Sequence, residues 1–214
     1  RYQTPSWYIR GYMDHFFEDH SQLFFQYGWK DYLVGIEVGL PKNRVISKIV
    51  YEYTKTDYQS GPIYHDHTTS IPDQISGIDN YYNHVIYQGW QYFGQAIGNP
   101  LFTSPLYNDN NELFFSGNRF RAHHLGITSN PINKLHLRFL YTHEKNWGTY
   151  NVPYLHGSKN LNSFLLESSY KFGKDPLKEF CLTAAIGLDS GTQIGNNRGC
   201  LLYTSPSPRD RTRS

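Results

Sequence analysis

Alternation of apolar and polar side chains is the feature that most constrains the fold of this chain. In the clearest stretch, residues 180–189, an apolar side chain occupies every second position from Phe180 to Leu188. A period of two residues predicts a β-strand with one apolar face. Another strand is expected to begin near Arg198. The same pattern recurs in six further stretches: 7–18, 32–40, 45–54, 118–128, 134–142 and 164–172.

The stretch 118–128 departs from simple alternation, because Leu125 and Ile127 share their parity with two arginines. Two explanations fit this departure. Either a β-bulge near His123–His124 resets the side-chain register, or the far end of the strand stands in water. The sequence alone leaves both explanations open.

The connections between the strands alternate in length. Short turns follow three of the strands, after Leu40, Thr128 and Phe172. Longer connections follow the others, after Glu18, Thr54, Thr142 and Asp189. Short turns on one rim and long loops on the other are typical of outer-membrane barrels. The sequence therefore predicts an all-β fold, an antiparallel transmembrane β-barrel with long extracellular loops, of which this chain forms seven or eight strands of a larger barrel.

A soluble protein is the alternative to the membrane barrel. The mean hydropathy is −0.61, and no run of about 18 apolar residues occurs, which excludes a transmembrane helix. A soluble antiparallel sandwich gives the same alternation, with its apolar rows facing a core. Alternation alone does not separate the two folds, whereas the loop lengths favour the membrane barrel.

Residues 56–116 form the longest connection, and their composition differs from that of the strands. The stretch Tyr64–Leu101 is crowded with His, Asp, Asn, Tyr, Trp and Gly and has no clean helical period. Connections of this length inside a compact domain are usually functional. We therefore predict an ordered extracellular insert within a barrel part that covers residues 1–199.

Residues 200–214 are predicted to be a non-native tail. The tail begins CLLYTSPSPRD, which matches an in-frame translation of a transposase sequencing adapter. The alternative is a natural disordered tail rich in Ser, Pro and Arg. With a non-native tail, Cys181 is the only native cysteine, so the sequence predicts no disulfide framework.

Four strings in a fixed order carry a resemblance to a known family. They are HFFEDHSQLFFQYGWKD (residues 15–31), SGPIYHDHT (60–68), GIDNYYNH (77–84) and IGNPL (97–101). Together they resemble the capsule assembly Wzi family, and the likeness extends from about Trp7 to Gly199. The resemblance implies a β-barrel of the cell outer membrane that binds or organises capsular polysaccharide, a lectin-like and non-enzymatic role. Residues 1–199 would be the C-terminal part of such a barrel. Its partners would be capsular or extracellular polysaccharide and outer-membrane lipid.

A polysaccharide site needs aromatic faces that stack on sugar rings and polar side chains that hydrogen-bond to hydroxyl groups. The insert supplies this mixture, and its predicted ligand-binding residues are Tyr64, Asp66, Asp79, Asn80, Tyr81, Tyr82 and Trp90. The alternative is that these residues hold the insert together, through Asx turns and aromatic packing.

Other chemistries have weaker support in the sequence. His65-Asp66-His67 would join His15 and His20 in a metal site, but no third ligand has a diagnostic spacing, so no metal is predicted. Carboxylates are present, but no nucleophile elbow, phosphate loop or dinucleotide fingerprint occurs. We therefore predict no catalytic residues, no enzyme activity and no cofactor. The net charge of +2 gives no argument for a nucleic-acid partner.

A porin-like channel for small solutes is the main functional alternative. The side chains predicted to face the lumen carry both charge signs, as in a water-filled or plugged pore. They are Arg10, Asp14, Glu37, Lys48, Glu52, Arg138, Glu167 and Lys171. A soluble all-β domain that binds carbohydrate or processes glycosides is the second alternative.

Overall fold

The computed structural model describes residues 1–16, 30–64, 75–78, 80–84, 86–172 and 180–206. These residues form an all-β structure, and the only helical element within them is a 3-10 turn at Pro105–Tyr107. No helix in the same ranges has the length and apolar character needed to cross a membrane. The strands are β1 (Tyr2–Gln3), β2 (Tyr8–His15), β3 (Tyr32–Gly39), β4 (Lys48–Lys55), β5 (Ser60–Tyr64), β6 (Ile75–Ile78), β7 (Gln91–Tyr92), β8 (Gln95–Ala96), β9 (Phe120–Ile132), β10 (Leu135–Asn146), β11 (Lys159–Phe172), β12 (Phe180–Gly191) and β13 (Asn197–Pro206).

Nine of the described strands form one antiparallel sheet, in the order β1–β2–β3–β4–β9–β10–β11–β12–β13. The predicted all-β antiparallel fold is therefore confirmed. The described sheet is not closed into a barrel, because β1 and β13 are its outermost strands and do not pair with each other. It has more strands than the seven or eight predicted, since the two-residue β1 and the whole of β13 both join it. Part of β13 falls in residues 200–214, whose non-native origin stays a prediction.

The connections of the main sheet lie at the two ends of its strands, which we name the long-loop edge and the short-turn edge. The long-loop edge carries the described residues of the connections 16–31 and 56–119, and the loops 147–158 and 192–196. The short-turn edge carries the turns 4–7, 40–47 and 133–134, and β11 ends and β12 begins there. The predicted alternation of long and short connections holds for the first three loops of the long-loop edge. The alternation is wrong for the fourth loop, because β12 continues to Gly191 and β13 begins at Asn197, which leaves only residues 192–196 between them.

The two faces of the sheet differ in polarity along whole rows of register partners. The apolar face has a continuous apolar row, Ile9, Val38, Ile49, Ile127, Phe139, Leu166 and Ile186. The polar face has a row of mostly polar residues, Tyr12, Gly35, Glu52, His124, Thr142, Ser163 and Asp189. The eight charged residues predicted to face a lumen all lie on this polar face.

Ion pairs and tyrosine hydroxyl groups organise the polar face. Glu37 accepts a hydrogen bond from the Tyr8 hydroxyl at 2.9 Å, and the cations of Arg10 and Lys48 lie 3.5 and 3.7 Å from its carboxylate. The Tyr8 ring reaches Glu37 by lying across Gly39, where an added Cβ would overlap the ring. Glycine at this position therefore leaves room for the tyrosine to cross the neighbouring strand.

The register settles the question raised by the parity of Leu125 and Ile127. The pairs of β9 with β4 and β10 run without a shift from Arg121 to Thr128, so the bulge at His123–His124, the first of the two explanations, is absent from these ladders. The Arg121 side chain points outward and is 48% exposed. The second explanation is therefore correct for this strand. The register shift lies at its other end, between the pairs of Leu135 and Leu137.

The aromatic core lies between the insert and the polar face, at the long-loop edge. Phe120 and Ala122 of β9 contribute one side of this core. Tyr81, Phe102 and Phe115 of the insert contribute the other side. The insert therefore lies on the polar face and leaves the apolar face on the opposite side of the sheet.

Candidate functional site

Asn118 is fully buried and fixes the insert to the sheet through a hydrogen-bond network. Its Nδ2 donates to Asn80 Oδ1 at 2.6 Å and to the Tyr81 carbonyl oxygen at 2.8 Å. Its Oδ1 accepts a hydrogen bond from Gln59 Nε2 at 2.6 Å. The Asn118 carbonyl oxygen accepts a further bond from Thr56 Oγ1 at 2.8 Å. The Asn118 side chain therefore links the start of the insert to its middle, two residues before β9 begins.

Tyr81 and Tyr82 lie in the base of the insert. Tyr81 is 2% exposed, and its hydroxyl donates to Asp31 Oδ2 at 2.9 Å. Tyr82 stacks on Phe102 with ring centroids 3.8 Å apart, and its hydroxyl accepts a hydrogen bond from the Asn99 amide at 2.9 Å. The broad aromatic faces of both residues are therefore occupied by protein contacts.

The other predicted site residues are not brought together in the described part of the chain. Tyr64 ends β5, where its backbone pairs with Ile75. Asp66 and Asp79 lie outside the described residues, as do the proposed metal ligands His20, His65 and His67. Within the described ranges, no group of three or more His, Cys, Asp or Glu is arranged to hold a metal ion.

Trp90 belongs to a set of exposed rings on the insert that we name the aromatic surface. The rings of this set are half exposed or more: Tyr87 52%, Trp90 58%, Tyr92 69%, Phe93 82% and Tyr107 50%. The ring of His84 stacks on Tyr87 with a centroid distance of 4.1 Å. Exposure of large aromatic rings to water is unfavourable, so a group of exposed rings indicates a surface that contacts a ligand or a partner.

The turn between β7 and β8 holds the most exposed ring of this surface. Its central residues Phe93 and Gly94 have φ values of +48° and +78°. A two-residue hairpin with positive φ at both positions usually contains Asn or Gly there, because other side chains are strained. Phe93 occupies a position that disfavours it, and its ring points into solvent. Strain retained at a surface position is a common property of ligand sites.

A cleft of about 900 Å³ opens beside the aromatic surface, between residues 103–116 of the insert and the loop 147–158. Polar groups line it together with Tyr107, Tyr154 and Leu155. Burial, followed by the charge of Glu144, raises the pKa of Tyr154 to about 12. The cleft therefore offers both an apolar wall and a hydroxyl group.

Gln193 forms part of the cleft wall and is 8% exposed. Its Nε2 donates to Glu144 Oε1 at 3.0 Å and also contacts Thr103 Oγ1. Its Oε1 is buried and has no hydrogen-bond partner among the described protein atoms. A buried acceptor without a partner is unfavourable.

The site differs from the sequence prediction in which residues it exposes. Of the seven predicted residues, Trp90 is the one whose side chain is described as well exposed. The sequence interpretation missed Tyr92, Phe93, Tyr107 and Gln193. In the Tyr92-Phe93-Gly94-Gln95 segment, Gly94 indicates a turn, but Phe93 is atypical at the first turn position, so the sequence signal for an exposed hairpin tip is weak.

Comparisons with models of known protein families, with curated proteins and with solved structures found no match for this chain.

Proposed function

We propose that this chain is part of an outer-membrane β-barrel that binds capsular polysaccharide at the cell surface without an enzymatic step. The observation that carries the proposal is the aromatic surface beside a mostly apolar cleft with polar groups in its wall, both at the long-loop edge of a sheet with one apolar face. Stacking of sugar rings needs exposed aromatic faces, and recognition of hydroxyl groups needs fixed polar atoms. The resemblance to the capsule assembly Wzi family supports the same conclusion.

The apolar face supports the membrane part of the proposal. Its side chains remain uncovered by the described residues, with Met13 52%, Leu166 55% and Ile186 56% exposed. Rings mark both ends of this face: Tyr53 packs on His123 with centroids 5.0 Å apart, and Phe172 stacks on Phe180 at 4.8 Å. Apolar bands bordered by aromatic girdles are typical of outer-membrane barrels.

The height of the apolar face also fits a membrane. The outward-facing residues from Phe164 to Phe172 of β11 cover eight residue steps, which is about 27 Å at about 3.4 Å per residue. A strand tilt of about 40° reduces this length to about 21 Å along the membrane normal, close to the height of about 25 Å of known apolar bands.

Replacement of Trp90 and Phe93 together by Ala tests the glycan part of the proposal. Both side chains are exposed, so the fold should persist, and the loss of two stacking rings should weaken binding about tenfold or more. The measurement is binding of detergent-solubilised protein to immobilised bacterial capsular polysaccharides. Tyr2→Ala, an exposed ring at the other end of the sheet, is the matched control and should bind normally. Equal binding by the double variant would contradict the proposal.

A channel is the second candidate function, because the polar face carries mixed charges and borders a groove of about 750 Å³. Lys48, His124 and Arg138 line this groove. The insert lies on the same face near the long-loop edge, which favours binding over free passage. Conductance in planar bilayers separates the two functions: steady open-pore currents would favour a channel, and silence with retained glycan binding would favour surface attachment.

A further inference from the structure

Three cations lie side by side on the outward side of the sheet, at the long-loop edge. Lys55, Arg121 and Lys145 are register partners on β4, β9 and β10. We name them the basic row. The alternation of the strands places them on the same face as the apolar rows. Lys145 is exposed, and the side chains of Arg121 and Lys55 are 48% and 21% exposed.

The basic row has more positive charge than its neighbours neutralise. Asp57 lies 2.6 Å from Arg121 and 3.5 Å from Lys55. Arg119 adds a fourth cation, and its Nε donates to the Asp57 carbonyl oxygen at 3.1 Å. No other carboxylate of the described residues forms an ion pair with any of the four. Four cations against one carboxylate leave an excess of three positive charges.

Trp147 adds a ring to this cationic site. The Arg121 guanidinium and the Lys145 ammonium each lie 5.5 Å from its ring centroid. A ring face holds a cation without neutralising it. The two side chains are therefore positioned close together, and their N–H groups remain able to bind an anion.

The basic row follows directly after the aromatic end of the apolar face. The next row toward the membrane contains Tyr53 and His123, and the Tyr51 hydroxyl pairs with His123 Nδ1 at 2.7 Å. Beyond these residues the face is apolar. In a bilayer the order is the same: hydrocarbon first, then the polar interface, then the phosphate groups of the lipids.

We propose that the basic row binds the phosphate groups of anionic lipids at the membrane surface. This proposal rests on the membrane part of the proposed function and does not depend on the glycan part. Arg121 supplies a planar set of donors suited to phosphate oxygens, and Lys145 supplies a second charge beside it. An acidic polysaccharide is the less favoured ligand. The basic row lies on the same side of the sheet as the apolar face, whereas the cleft proposed to bind glycan lies beside the insert.

The test uses the full chain in lipid nanodiscs and compares phosphatidylglycerol with phosphatidylcholine. The variant Arg121→Gln with Lys145→Gln should lose about 25-fold in preference for phosphatidylglycerol, roughly fivefold for each cation. The matched control Lys171→Gln removes a lysine that lies on the polar face at the short-turn edge, away from the basic row. This variant should keep the preference for phosphatidylglycerol. Native mass spectrometry of retained lipid gives the measurement, and circular dichroism confirms that each variant folds.

Three results would overturn the assignment. The first is an unchanged lipid preference in the double variant. The second is binding of inorganic phosphate alone with the affinity of the lipid, which would identify a free-anion site. The third is loss of acidic polysaccharide binding with lipid preference retained. If the double variant fails to fold, Lys145→Gln alone decides, because this exposed lysine has no ion pair to lose within the described residues. Glycan binding by the Trp90 and Phe93 double variant is measured separately, so failure of the lipid proposal is distinguishable from failure of the glycan proposal.

Discussion

Asn118→Ala should detach the insert while leaving the sheet intact. The substitution removes three side-chain hydrogen bonds, each with a net contribution of about 1 kcal/mol. The fully buried Gln59 Nε2 then has no acceptor for its hydrogen bond, and this loss adds about 1 kcal/mol or more to the destabilisation. The insert should therefore become about 4 kcal/mol easier to open, because all three bonds lie between the insert and the start of β9.

Hydrogen exchange measures this opening at amides that depend on the insert. The amides of Trp90 and Phe115 donate to Tyr82 O and Asn83 Oδ1, and their protection should fall by up to about 10³-fold. Amides in the β11–β12 ladder should keep their protection. Asn160→Ala, at an exposed position on β11, is the control. A loss below about 1 kcal/mol at Trp90 and Phe115 would refute the argument that Asn118 holds the insert.

Two further predictions use pairs of matched positions. Gly148 and Gly157 both have φ of +86°, but an added Cβ meets Val152 O at 2.7 Å in the first and nothing within 4 Å in the second. Gly157→Ala should cost about 1 kcal/mol from φ alone, and Gly148→Ala should cost about 2–3 kcal/mol; equal losses in thermal unfolding would contradict the steric argument. Leu166→Arg on the apolar face should reduce folding into lipid vesicles by about 2–4 kcal/mol, while Ser163→Arg on the polar face should have little effect. A Leu166→Arg protein that inserts as well as the parent would count against the membrane proposal.

The strands of the sheet could be predicted from the sequence because their periodicity also sets their register. Arg10, Glu37 and Lys48 were assigned to one face by parity alone, and the structure joins them in one ion-pair cluster. A slip of one residue would move each to the opposite face. The parity of a strand therefore carries information about contacts between residues that are distant in the chain.

The insert could not be predicted in the same way, because its residues share no period. Tyr81 and Tyr82 are neighbours with the same side chain type, yet one bonds to Asp31 and the other stacks on Phe102. These contacts depend on segments that lie 50 residues before and 20 residues after them. The exposure of Trp90 likewise follows from the path of the insert rather than from its own surroundings in the sequence.

The arrangement of apolar groups is the strongest physical argument for a non-aqueous environment around the sheet. A sheet in water is stabilised most when other elements cover its apolar face, at about 25 cal/mol per Å² removed from solvent. Here the aromatic core of the insert covers the polar face, and Leu166 and Ile186 on the opposite face are each more than half exposed in the described structure. Burial of Phe102 and Phe115 stabilises the insert on the polar face, but it leaves the opposite, apolar face uncovered by the described residues. Hydrocarbon around that face would remove its side chains from water, which is the physical reason for the proposal that the sheet lies in a membrane.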